Sequence, residues 1–167
     1  MYREIAAGNT FGGTALSSYG GFWISFGIIF TPGGFAIADA YGGMTAEFAN
    51  AFGLYIFSWF IFTFILWTCT LKSTVAFSSL LFFVWLTYLM LGSAYLANVD
   101  GAANVTLTRA GGAFGIIAAF LAWYNMLAGI ADSSNSFFVI PVVHFPWSDK
   151  VREENKAERE KDVEKQD

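Results

Sequence analysis

Long apolar stretches alternate with short polar segments along this chain, and four of the stretches are long enough to cross a lipid bilayer. A membrane-spanning helix needs roughly 20 mostly apolar residues. The four stretches cover about residues 12–30, 48–71, 74–97 and 110–131. Lys72 is the only charged residue between positions 48 and 97, so we place a tight helical hairpin there. The pattern predicts an all-α, polytopic membrane protein with four transmembrane helices.

Composition supports a membrane domain followed by a short water-soluble tail. Hydrophobic residues make up 56% of the chain and charged residues 13%, against about 25% charged residues in a soluble domain. Eight of the thirteen acidic residues and six of the nine basic residues follow Pro146. We therefore divide the chain into a transmembrane helical domain, residues 1–147, and a charged tail, residues 148–167. The tail is predicted to be a solvated helix or a disordered end.

Lys and Arg are unevenly distributed between the two predicted sides of the membrane. With four spans, the N-terminus, the hairpin and the tail share one side. That side holds eight of the nine basic residues, and the other side holds Arg109. Because basic residues favour the cytoplasmic side, both termini are predicted to be cytoplasmic. Asn104 begins an Asn-Val-Thr sequon on the predicted outer loop, where its closeness to the membrane leads us to expect no glycan.

The chain lacks the residue clusters that several classes of protein need. There is no basic patch with interleaved aromatic residues, so we expect no nucleic-acid partner. A lone cysteine, Cys69, and a lone histidine, His144, offer no metal-ligand set, and we expect no metal and no cofactor. No nucleophile elbow, phosphate loop or pair of acids is present, so an enzyme is not predicted.

Ionisable groups are nearly absent from the four stretches, although hydroxyls and amides are frequent. Because charged residues inside a membrane usually mark ion pathways, a pump or a cation channel is not favoured. A route for a small, weakly polar solute remains open, and each polar residue could equally make a hydrogen bond in helix packing. The candidate polar residues are Thr14, Ser17, Ser18, Tyr19, Ser25, Thr87, Tyr88, Tyr124 and Asn125.

Small residues recur at helical spacing in two of the stretches. Gly111 and Gly115 form a GxxxG pattern, and Gly13, Ser17 and Gly21 repeat every four residues. Such faces let helix backbones approach closely in a membrane. They could pack helices within the chain, or they could form contacts between subunits, and both readings stay open.

One segment resembles a known family. The run Gly8-Asn9-Thr10-Phe11-Gly12 continues as Gly13-Thr14-Ala15 and is followed by Ser18-Tyr19-Gly20-Gly21-Phe22-Trp23. It resembles the pattern GNTFGxTAxxSYGxFW of the acetate uptake transporter family, the YaaH-type acetate/succinate–proton symporters. The later run His144-Phe145-Pro146-Trp147 looks like the fungal branch of that family.

The resemblance implies a fold and a transport route. Members have six spans and are thought to form ring-like hexamers, so the four spans here would be the third to the sixth. An NPxPLGL-type signature and the first two helices have no counterpart in this chain. The resemblance implies a narrow gate that includes Tyr19 and Leu86, and it places Ala122 where a small residue influences substrate size.

The function that the resemblance implies is transport of acetate and similar small monocarboxylates across the plasma membrane, coupled to a proton. The partners would be the lipid bilayer, a small carboxylate solute and other family members in a homo- or hetero-oligomer. The alternative is a truncated, non-transporting subunit that assembles with full-length relatives.

Overall fold

The computed structural model describes residues 5–6, 8–32 and 35–164. Six helices occur in these ranges, which contain no β-strand beyond isolated bridges. The all-α class predicted from the sequence is therefore confirmed. The helices are α1 (Thr10–Phe30), α2 (Ile37–Ala40), α3 (Ala46–Cys69), α4 (Val75–Leu96), α5 (Val105–Ile130) and α6 (Asp149–Glu164).

Each long apolar helix begins at a polar side chain that caps it. The cap oxygen accepts a hydrogen bond from a backbone N–H in the first turn, which would otherwise lack a partner. The cap oxygens and amides lie 2.9–3.3 Å apart. The pairs are Asn9 with Gly12, Thr45 with Phe48, Thr74 with Phe77, and Asn104 with Leu107.

Three of the helices in the described part of the chain, α3, α4 and α5, are long and apolar enough to cross a membrane. The chain is therefore a multi-pass membrane protein. Helix α1 has 21 residues, but its glycines, serines and threonines dilute its apolar character. The structure thus supports three of the four predicted spans by length and composition. The remaining span, at residues 12–30, stays a prediction.

Helix α4 lies between α3 and α5 and packs closely against both. Glycines make the approach possible at both contacts. A Cβ atom on Gly92 would lie 2.8 Å from the ring of Phe57 on α3, and one on Gly111 would lie 2.9 Å from the Leu91 side chain on α4. The GxxxG face of α5 is therefore used within the chain. On α1, by contrast, a Cβ on Gly21 would lie within 4 Å of no atom in the described part of the chain.

The segment after α5 returns across the turn between α3 and α4. The amide of Val75 donates to the carbonyl of Val143 at 2.9 Å, and the indole Nε1 of Trp147 donates to the carbonyl of Leu71 at 2.7 Å. We call this segment, residues 141–148, the strap. It brings the start of α6 to the hairpin turn, so the tail and the hairpin occupy the same end of the molecule.

Candidate functional site

The first motif builds the start of α1. Gly8 adopts a positive φ of 77°, which suits a residue without a side chain, and Asn9 next to it caps the helix. The amide of Gly12 completes that cap at 2.9 Å. Phe11 then packs edge-on against Phe77 of α4, with ring centroids 6.0 Å apart. The motif therefore fixes where α1 begins and how that end meets α4.

Tyr19 lies two to three turns further along α1 and makes a polar contact with α3. Its hydroxyl shares a hydrogen bond with the hydroxyl of Thr63 at 3.0 Å. Thr63 is fully buried. The ring of Tyr19 stacks on Trp59 and meets Phe62 edge-on. Tyr19 is thus held between two helices by one hydrogen bond and two aromatic contacts.

A second hydroxyl pair links the same two helices closer to the other end of α1. The hydroxyls of Ser25 and Tyr55 lie 2.6 Å apart. Phe22 sits between the two pairs along α1 and stacks on the ring of Tyr55. The contact between α1 and α3 is therefore aromatic, with a hydroxyl pair on either side of Phe22.

Helix α4 contributes Tyr88 to this core. Its side chain is 7% exposed, and its ring meets Phe22 edge-on at 5.3 Å between centroids. Tyr19 and Tyr55 pack against the same group of buried residues. We call Tyr19, Tyr55 and Tyr88 the tyrosine cluster, since each comes from a different helix.

The three residues of the implied gate lie on three different helices, α1, α4 and α5. Leu86 is half-buried on α4, and it is absent from the described apolar clusters that contain Tyr19. Ala122 is half-buried on α5, one turn after the buried Ala118. Tyr19 thus lies at the α1–α3 contact, whereas Leu86 and Ala122 belong to the other two helices.

Several of the candidate polar residues bond within their own helix. Their side chains donate to a backbone carbonyl four residues earlier, at 2.7–2.8 Å. These bonds agree with a structural role for the three side chains rather than contact with a solute. Tyr124 donates instead to the carbonyl of Pro141 at the start of the strap. The donors to their own helix are Ser17 to Gly13, Thr87 to Phe83, and Asn125 to Leu121.

Tyr55 and Thr63 were not among the residues singled out from the sequence. They lie in an apolar stretch without a motif, where hydroxyl residues are common. A sequence feature that could have pointed to them is a repeat of three or four residues, which places four side chains on one face of α3: Tyr55, Trp59, Thr63 and Leu66.

A cavity of about 230 Å³ lies at the end of α1 that is distant from the strap. The end of α1, helix α2 and the loop before α3 form its walls. Most of its lining residues are apolar, and Thr31 and Asp39 also line it. In the described parts of the chain, no three His, Cys, Asp or Glu residues come together in a group that could hold a metal ion.

Comparison with known proteins gives a consistent result. The model of the GPR1/FUN34/yaaH family matches residues 2–147. "Acetate permease A" of Emericella nidulans is 59% identical over 162 residues, which are 94% of this chain and 54% of that protein. "Ammonia transport outward protein 2" of Saccharomyces cerevisiae is 49% identical over 148 residues, 89% of this chain and 50% of that one.

A more distant relative extends the comparison. "Acetate transporter protein patA" of Aspergillus clavatus is 31% identical over 141 residues, 83% of this chain and 56% of that protein. The chain thus spans about half the length of these curated relatives. No solved structure gives a significant match.

Proposed function

Because the chain belongs to the GPR1/FUN34/yaaH family, we propose that it takes part in the transport of acetate and similar small monocarboxylates across the plasma membrane. The observation that carries this proposal is the 59% identity with "Acetate permease A" over 94% of the chain. An all-helical core with hydroxyl pairs among aromatic rings supports it, since a small acid needs a few polar contacts along an otherwise apolar path.

We infer that the proton crosses together with the acid. Glu47 in the first turn of α3 and Arg109 in α5 are the only charged residues within α1, α3, α4 and α5. These helices therefore offer no titratable relay in mid-membrane. A simple carboxylic acid titrates near the glutamate value of about 4.3, so more of it carries its own proton as the medium becomes acidic.

We infer that Tyr19 narrows the solute path. Its hydroxyl is held by Thr63 and its ring by Trp59, so the ring has a fixed position from which to restrict passage. Leu86 on α4 and Ala122 on α5 would restrict the same path from the neighbouring helices. A larger side chain in place of Ala122 would then exclude longer acids before it excludes acetate.

The arrangement in the membrane is also part of the proposal. Helix α1 would also cross the membrane, which gives this chain four spans. Residues 1–147 would form the membrane domain and residues 148–167 the cytoplasmic tail. Both termini would lie in the cytoplasm. Three glycines of α1 would face other family members in a homo- or hetero-oligomer, since a Cβ on any of them would meet no described residue within 4 Å: Gly20, Gly21 and Gly27.

Uptake of labelled acetate tests the proposal in cells that lack their own acetate carriers. We expect uptake above that of the empty vector, faster at about pH 5 than at about pH 7.5, and lost when a protonophore is added. Uptake equal to the empty vector would reject acetate transport. Acetate uptake at the same rate at both pH values would reject proton coupling but not acetate transport. Release of ammonium without acetate uptake would favour outward ammonia transport, the activity in the name of the Saccharomyces cerevisiae relative.

A further inference from the structure

Tyr88 is a largely buried residue of the described core, and its hydroxyl has no hydrogen-bond partner among the described residues. Its side chain is 7% exposed, and its hydroxyl makes no hydrogen bond with any residue that the structure describes. A hydroxyl on a residue this deeply buried has lost most of its contact with water, and polar groups in such places almost always find another partner. Tyr88 is an exception that calls for a physical explanation.

The other two members of the tyrosine cluster do not share this feature. Tyr19 is paired with Thr63 at 3.0 Å, and Tyr55 is paired with Ser25 at 2.6 Å. Both pairs serve the contact between α1 and α3. A phenylalanine at position 88 would fill the same space against the core without an unpaired hydroxyl, so packing alone does not account for a tyrosine there.

The Tyr88 hydroxyl is not completely enclosed by the residues that the structure describes. Among the described residues, the indole Nε1 of Trp85 is the only fully buried side-chain nitrogen or oxygen that lacks a hydrogen-bond partner. The Tyr88 oxygen, which lacks a partner too, therefore keeps part of the 7% exposure of this residue. The unpaired hydroxyl is therefore not sealed inside the core, although the residue as a whole is buried.

We propose that Tyr88 is a solute-contacting residue whose hydroxyl donates a hydrogen bond to the carboxyl group of the transported acid between α1, α3 and α4. This inference rests on the proposed function. A phenol hydroxyl can donate to a carboxylate, and it can both donate to and accept from a neutral carboxylic acid. The rings around Tyr88 limit access of water, which strengthens such a bond.

The test compares Tyr88→Phe with Tyr95→Phe in the full chain, using labelled acetate. Tyr95 lies two turns further along α4, is only partly buried and makes no hydrogen bond through its hydroxyl with a described residue. We expect Tyr88→Phe to raise the KM for acetate about threefold to tenfold with little change in the maximal rate. Tyr95→Phe should leave both values unchanged.

Thermal unfolding checks the premise separately from transport. Because the Tyr88 hydroxyl has no internal partner, Tyr88→Phe should unfold at the same temperature as the wild type or higher, whereas Tyr19→Phe should unfold lower. An unchanged KM would overturn the proposal, and so would a loss of stability like that of Tyr19→Phe. A wild type that transports no acetate would instead reject the proposed function, and the solute contact with it.

Discussion

At the residue scale, the hydrogen bond between Tyr19 and Thr63 can be tested most directly. It joins a partly buried phenol to a fully buried hydroxyl at 3.0 Å. Thr63 is cut off from solvent, so its hydroxyl depends on Tyr19 for a hydrogen bond between the two helices. Tyr19 therefore has a structural role in addition to the proposed role in restricting the path.

Removing either side of that pair should destabilise the protein. We expect Tyr19→Phe and Thr63→Val each to lower the free energy of unfolding by about 1–2 kcal/mol, measured by thermal unfolding in detergent. The double variant should lose less than the sum, because the second change removes a bond already broken. Tyr41→Phe is the control, since its side chain is 42% exposed. Additive losses would contradict a direct bond.

Asp132, just beyond the end of α5, organises the first turn of the following loop. Its carboxylate accepts hydrogen bonds from the hydroxyl of Ser134 at 2.6 Å and from the amide of Ser134 at 2.7 Å. The amide of Asn135 adds a third at 3.1 Å. These donors, led by the Ser134 hydroxyl, hold the pKa of Asp132 below its ordinary value.

The direction of that shift fixes the pH dependence of the turn. Because the pKa is lowered by folding, the ionised carboxylate supports the turn above the ordinary aspartate pKa of about 3.9. The support is lost as the pH falls through the lower pKa of the folded state. Ser134→Ala should move the pKa of Asp132 upward in an NMR titration, and Ser133→Ala should not. Identical titration in both variants would contradict this account.

At the element scale, close contact between α4 and α5 depends on which face of α5 carries glycine. Gly111 and Gly112 are neighbours in the chain and point in different directions. A Cβ on Gly111 would lie 2.9 Å from Leu91 and 3.3 Å from Met90, whereas a Cβ on Gly112 would meet nothing within 4 Å. Gly112 is therefore a suitable control position for a substitution at Gly111.

Alanine substitution at the two glycines should change the free energy of unfolding differently. Gly111→Ala forces α4 and α5 apart or displaces Leu91, and we expect a loss of about 1–3 kcal/mol in unfolding free energy. Gly112→Ala adds helix propensity without a clash and should be neutral or stabilising by up to about 1 kcal/mol. Thermal unfolding of both variants measures the difference. Equal stability of the two would mean that α5 does not approach α4 through Gly111.

At the scale of the whole molecule, the strap decides that the hairpin turn and the tail share one side. Trp147 donates to the carbonyl of Leu71, and Lys72 lies 3.9 Å from Asp149 in an exposed ion pair. An exposed pair of this kind contributes little stability. The backbone and indole hydrogen bonds of the strap are therefore the better evidence for this arrangement.

Labelling of single cysteines checks the proposed sidedness. In a Cys69→Ala background, we expect cysteines at positions 72 and 150 to react with an impermeant maleimide only after the cells are permeabilised. Val99 lies between α4 and α5 at the opposite end and is 73% exposed, so Val99→Cys should react in intact cells. Labelling of positions 72 and 150 from opposite sides would contradict the strap, and labelling of both from outside would invert the orientation.

The sequence by itself determined the all-α class and the positions of α3, α4 and α5, and the cap at the start of α1 is also a local feature. These features are local: the hydropathy of about 20 consecutive residues defines a span, and Asn9, three residues before the amide that it accepts from, defines a cap. The family motif around Tyr19 is local in the same way. Each of these signals is complete within one stretch of chain.

Only the tertiary structure decided which side chains meet. Tyr19 and Thr63 are 44 residues apart in sequence, Leu71 and Trp147 are 76 apart, and the unpaired hydroxyl of Tyr88 becomes evident only once its neighbours are placed. The physical reason is that these helices are apolar on every side, so the pattern of residues does not mark an inward face. Their rotation and register are set by the packing of glycines and aromatic rings against neighbouring helices, which is not a property of any single stretch.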